Sequence, residues 1–141
     1  KLNPTDDEIA QVMGHEISHA LANHSAERMS VAMASNMMVD VVNTVAGASE
    51  GVASMTSKAA QVALQLPNSR KSESEADKIG IELAARAGYN PNAAVTLWQK
   101  MAQVSGGGGI EFLSTHPAPG NREKALQDMI PSMMPLYQAA K

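Results

Sequence analysis

The pentapeptide His15-Glu16-Ile17-Ser18-His19 constrains this chain more than any other feature. A helix turns about 100° per residue, so side chains at i and i+4 sit about 40° apart and about 6 Å along the axis. Two imidazoles at that offset converge on one tetrahedral metal ion. Glu16 is about 100° round from His15, too far to be a natural third ligand. It lies beside the open coordination position, where a carboxylate takes a proton from water. On a helix the pentapeptide therefore reads as a zinc site with its general base built in. Off a helix it is two surface histidines that match by chance.

The flanking residues supply the helix. Asn3-Pro4-Thr5-Asp6-Asp7-Glu8 is a start signal in which Thr5 caps and Glu8, three residues on, completes a capping box. Asp6 and Asp7 put negative charge in the first turn, where the helix dipole favours it. On a helical wheel Glu8, Val12, His19 and Ala22 cluster near His15. Ile9, Met13, Ile17, Ala20 and His24 fall on the other side and are expected to be core, which leaves the histidine pair at an edge of the apolar stripe. His24 is expected to point away from His19 and to be satisfied by carbonyls near the helix C-terminus.

A third ligand is sought in Glu73-Ser74-Glu75-Ala76-Asp77, where three carboxylates compete. On a helix running to Ala87 and ended by Gly88, residues Ala76, Asp77, Gly80, Leu83 and Ala84 share a small, apolar face with Glu73. Glu75, Lys78, Glu82 and Arg86 fall together on the far side, spaced for ion pairs in water. A carboxylate on a buried face is costly unless paired or metal-bound, so Glu73 is chosen as ligand. Asp77, one turn on, is expected to orient a ligand histidine or to act as an acid near the leaving group. Glu75 is expected to be a solvated residue of little consequence. Gly80 and Ala76 would let this helix approach the first closely.

With these residues in view, the chain resembles the CAAX-prenyl-protease and HtpX-type zinc metallopeptidases, above all their soluble bacterial-envelope branch of BepA-like and Oma-like enzymes. The resemblance rests on His-Glu-Ile-Ser-His together with Glu73-Ser74-Glu75-Ala76-Asp77. Gly14, Asn23 to Arg28, Ser69-Arg70, Ser114-Thr115-His116-Pro117 and Arg122 support it, so that it spans roughly residues 5 to 125. It implies a gluzincin with one zinc per chain held by His15, His19 and Glu73, with Glu16 as base and Asp77 as a candidate proton donor. It also implies a bacterial periplasmic or cell-envelope location and misassembled envelope proteins as polypeptide substrates. The family carries a small β-sheet ahead of the His-Glu helix. Only fourteen residues precede His15, and the first is Lys1 rather than methionine, so the chain is expected to be a fragment of a longer protein with that sheet largely missing.

Composition agrees with a single mainly α-helical domain over residues 1–141. The chain has 141 residues, 44% of them hydrophobic, enough for one core. A net charge of -3 without a dense basic block argues against a nucleic-acid partner. The absence of cysteine removes disulfides and thiolate ligands. Ten methionines against one tryptophan, two tyrosines and one phenylalanine predict an adaptable core.

The remaining segments read as helices. Residues 26 to 46 place Met29, Met33, Met37 and Val41 at helical spacing opposite Asn36, Asp40 and Asn43, which interrupt any membrane-spanning run. Peripheral membrane association is one role for such a face. A helix from Val52 to Leu66 is expected to stop before Pro67, and the pair is a candidate lid, with ordinary packing the favoured alternative. Another helix is expected from Asn90-Pro91 to Val104, then a Gly106 to Gly109 connector, then short helices at 121 to 130 and 132 to 140 broken at Pro131. His116, held before Pro117 in a loop, is expected near the zinc, as a removable fourth ligand or as a donor to the tetrahedral oxyanion. The competing function is a zinc-plugged, chaperone-like binding protein with little proteolysis. A helical regulatory module that binds no metal is the third.

Overall fold

The computed structural model describes residues 2–47, 49–105, 116 and 121–141. Five helices are described: α1 (Asp6–Leu21), α2 (His24–Ala46), α3 (Glu50–Arg86), α4 (Ala93–Ser105) and α5 (Arg122–Ala139). No strand occurs among the described residues, so the fold is mainly helical, as expected. Nor, among them, is any helix long and apolar enough to cross a membrane.

α1 begins where its capping signal lies. The Thr5 hydroxyl accepts from the Glu8 backbone N–H at 3.3 Å, and the Glu8 carboxylate accepts from the Thr5 N–H at 2.8 Å. α3 ends as predicted, with Gly88 at φ 82 and the Gly88 and Tyr89 N–H groups donating back to Ala85 and Ala84, each at 3.0 Å. This double closure satisfies two carbonyls that the last turn would otherwise leave open, and its left-handed residue favours glycine.

α1 lies against the C-terminal half of α3 with almost nothing between the backbones. A Cβ placed on Gly14 would stand 2.5 Å from the Gly80 carbonyl oxygen, and one on Gly80 would stand 2.7 Å from the His15 nitrogen. The close approach expected of Gly80 is therefore real, and it requires Gly14 as well. Beyond the crossing, Ile81, Ala85, Ala94, Val95, Leu126 and Met133 form the apolar core shared by α3, α4 and α5. Full burial of a side chain such as Ile81 or Leu126 contributes about 1.5–3 kcal/mol.

Several expectations fail here for identifiable reasons. The apolar side of α1 is its outer side: Ile9, Met13, Ile17 and Ala20 are exposed, while Glu8, Gln11, Gly14, His15, Ser18 and His19 are buried. The glycine crossing leaves no room for a side chain between the backbones, and the buried polar groups of α1 are hydrogen-bonded, Ser18 to the Gly14 carbonyl, Gln11 to the Asn90 carbonyl and Glu8 to Thr96 and Lys100. The histidine pair is thus in the middle of the buried stripe, not at its edge. On α2, Met29, Met33, Met37 and Val41 also face outward, and Ser35 and Val39 turn inward. The methionines of α2 are therefore not core fillers, and only Met101 and Met133 are buried among the described methionines.

The prolines do not break their helices. α3 continues through Pro67, and α5 contains both Pro131 and Pro135. Each proline removes one backbone hydrogen bond, a local cost that neighbouring turns and packing outweigh. α4 starts at Ala93 rather than Pro91. The Gly106 to Gly109 connector falls outside the described residues.

Candidate metal centre

α1 and α3 bring three of the expected side chains to one point. The Nε2 atoms of His15 and His19 face each other at 3.1 Å. Glu73 sets one carboxylate oxygen 3.2 Å from His15 Nε2 and the other 3.3 Å from His19 Nε2. His116 adds Nδ1, 3.1 Å from Glu73 and 3.3 Å from His15 Nε2. One ligand-type atom from each of the four residues lies within 4.8 Å of the other three. Nitrogen lone pairs and a carboxylate converging so tightly in a buried pocket are a donor set that suits zinc. The expected nearness of His116 to the cluster is observed, although the loop expected around it falls outside the described residues.

The opposite ring nitrogens are also engaged. Asp77 Oδ1 accepts from His15 Nδ1 at 3.0 Å, so Asp77 stands behind His15 and not on its cluster face. That position suits an orienting carboxylate better than an acid near a leaving group. His19 Nδ1 lies 2.9 Å from His24 Nδ1, and His24 is 1% exposed. The expectation that His24 points away from His19 is therefore wrong. The wheel assumed one continuous helix, but Asn23 takes φ 54 and turns the chain back before α2 starts. Glu75, half exposed as predicted, brings its carboxylate 3.6 Å from His24 Nε2, so it is not merely solvated. Its expected neighbours on that stripe, Glu82 and Arg86, do pair with each other at 2.8 Å.

Glu16 lies at the rim, half exposed, with Oε1 3.2 Å from His116 Nε2. It stands outside the group of His15, His19, Glu73 and His116 and is open to solvent.

Arg122 has a role that the residue-by-residue reading did not find. It is 4% exposed, contacts Asp77, lies 3.5 Å from Glu73 and covers the Trp98 ring at 3.9 Å. A fixed cation there compensates two buried carboxylates, which would otherwise be costly. The resemblance to the metallopeptidases marks Arg122 as a matching residue without giving it a role, and no periodicity marks such a contact in advance.

Charge states follow from this packing. Burial, with further opposition from His15, His24 and His116, outweighs the attraction of Glu73 and pushes the His19 pKa down to about 4. Burial alone would raise the Glu73 carboxyl, but the His15 hydrogen bond and the nearby histidine charges hold it below its ordinary value. Burial would lower His15, yet Asp77 and Glu73 carry it above the ordinary imidazole value. At neutral pH His19 is thus uncharged beside an ionised Glu73.

Comparison with known proteins follows the same direction. Peptidase family M48 is matched over residues 1–130. The chain is similar to mitochondrial metalloendopeptidase OMA1 of Saccharomyces cerevisiae, with 36% identity over 139 residues, covering 94% of this chain and 39% of the relative. Metalloprotease YcaL of Escherichia coli is 30% identical over 90% of this chain and 50% of its own length. The β-barrel assembly-enhancing protease of Yersinia pestis is 30% identical over 92% of this chain and 29% of its own. The chain thus spans half or less of the length of these relatives. No solved structure matches it.

Proposed function

The chain belongs to peptidase family M48, and from that premise we propose that it is the catalytic module of a zinc-dependent endopeptidase. The observation that carries the reading is the convergence of His15 Nε2, His19 Nε2 and the Glu73 carboxylate from two helices that touch at glycine. These three would hold one zinc ion. When bound, zinc would supply a Lewis acid for the scissile carbonyl and lower the pKa of a water there to about 7. Asp77 holds the His15 proton on Nδ1, which leaves Nε2 for the ion. Glu16 accepts a proton from the attacking water as its oxygen bonds to the carbonyl carbon. It returns that proton to the leaving nitrogen as the C–N bond breaks, so atoms and charge balance over one turnover.

The substrates are polypeptides, and we assign the work to quality control of cell-envelope proteins. The name of the Yersinia pestis relative, which refers to β-barrel assembly, supports a bacterial envelope setting. The mitochondrial relatives widen the range of compartments in which such a module works. Glu16→Gln tests the mechanism, because an amide cannot accept the proton: zinc stays bound and casein cleavage is abolished. Substantial cleavage by the zinc-loaded variant would sink it.

A second reading is favoured by His116, whose ring sits against Glu73 and Glu16 together. As a fourth ligand it fills the position that substrate needs, which describes a resting enzyme or, at the extreme, a zinc-plugged binding protein. His116→Ala then raises basal proteolysis. A drop of roughly 10²–10³-fold would instead mark a donor to the oxyanion.

A further inference from the structure

The reading of His15, His19 and Glu73 as ligands leaves His24 unexplained. His24 is fully enclosed, yet neither ring nitrogen bonds a backbone group, as a merely structural buried histidine would require. Its Nδ1 lies 2.9 Å from Nδ1 of His19. Two ring nitrogens at that distance share one proton, so one donates and the other accepts. His19 turns Nε2 to the cluster, 3.1 Å from His15 Nε2 and 3.3 Å from Glu73. A neutral imidazole that gives its Nε2 lone pair to a metal carries its proton on Nδ1. The direction follows: His19 Nδ1–H donates, His24 Nδ1 accepts, and the proton of His24 resides on Nε2. That Nε2 is buried without a hydrogen-bond partner, and Glu75 Oε2 lies 3.6 Å from it.

We propose that His24 is a positioning residue for His19, backed by Glu75, as Asp77 is for His15. The inference rests on the ligand assignment above and extends it to a third layer. Chain geometry makes it feasible. Five residues along one helix would put His24 about 140° round from His19, and the left-handed turn at Asn23 brings it back instead. His19 is then fixed in tautomer and ring orientation, which keeps its lone pair on the metal.

Zinc affinity by chelator competition tests this on the wild type, His24→Leu, His24→Asn, Glu75→Gln and the His24→Asn/Glu75→Gln double variant. Melting in excess chelator reports any fold defect. His24→Leu is expected to weaken zinc roughly 10–100-fold. The amide oxygen of His24→Asn sits where Nδ1 was, so that variant recovers most of the loss. Glu75→Gln weakens zinc less than His24→Leu, and its effect disappears in the His24→Asn background. Histidine 15N spectra of the zinc-loaded wild type place the His19 proton on Nδ1. Wild-type affinity in folded His24→Leu, or His24→Asn no better than His24→Leu, overturns the proposal. So does a Glu75→Gln effect that is equal with and without His24. If His24→Leu does not fold, His24→Asn and the Glu75 pair decide. A wild type that takes up no zinc, or as much zinc in His19→Ala, overturns the ligand assignment and this inference with it.

Discussion

Glu73 and Asp77 share one face of α3, yet they meet opposite edges of the same imidazole, Glu73 at His15 Nε2 and Asp77 at Nδ1. Their substitutions should therefore separate. Glu73→Ala is expected to lose zinc on gel filtration, while Asp77→Asn keeps most of it and loses about 10–100-fold in affinity or activity. Zinc retained by Glu73→Ala but lost from Asp77→Asn would reverse the two roles. Arg122 balances both carboxylates, and its removal leaves buried negative charge without a cation. Arg122→Met is expected to lower the stability of the metal-free protein by about 3–5 kcal/mol in urea titrations. A change within about 0.5 kcal/mol, as at an ordinary surface position, would remove it from the site.

At the scale of helices, the inverted α1 makes a prediction opposite to its hydropathy. Met13 is 58% exposed, so Met13→Gln should change stability by less than about 0.5 kcal/mol. Ser18 is enclosed, with its hydroxyl donating to the Gly14 carbonyl at 2.6 Å, and Ser18→Leu should cost at least about 1–3 kcal/mol by overpacking. Chemical denaturation of both decides, and a costlier Met13→Gln would mean that the helix faces the other way. A second contact fastens α1 to α4: the buried Glu8 accepts from Lys100 at 2.7 Å and from Thr96 at 2.8 Å. Burial would raise the Glu8 carboxyl, but Lys100, the Thr5 N–H and Thr96 together hold it below the ordinary 4.5. A carboxyl lowered on folding adds stability above its unfolded pKa and loses it as pH falls through the folded one. Asp7, the neighbouring acid, is occupied by the Asn90 N–H at 2.9 Å. Lys100→Met should thus cost about 1–3 kcal/mol at pH 7, and the gap to wild type should narrow as the pH falls from the ordinary 4.5 through the lowered folded value. A gap independent of pH would rule out the charge pair as its source.

Across the molecule, the proposed ligands join α1 to α3 with His116 beside them, so metal should act as a staple. Free zinc at 100 times its Kd adds about 2.7 kcal/mol to a fold that binds it only when native. The expected rise in melting temperature should vanish in His19→Ala, and a rise that survives there would place the ion elsewhere. Part of this centre was legible in the sequence, because helical spacing is local: it pairs His15 with His19 and selects Glu73 over Glu75, and the structure brings those three together. The rest depended on how helices meet. His24 turned on one backbone angle at Asn23, Arg122 on a contact between distant segments, and the outward methionines on which neighbour each helix has. The continuity of α3 and α5 through proline shows a local breaking signal overridden by the surrounding helix. Gly14 and Gly80 touch main chain to main chain, and that contact has a bearing on drift. Side chains settle by tenths of an ångström as their neighbours change, whereas two backbones in contact have no slack to lose. The gauge of the jaws that carry His15, His19 and Glu73 is therefore set by peptide geometry, and outer surfaces can vary in sequence without retuning it.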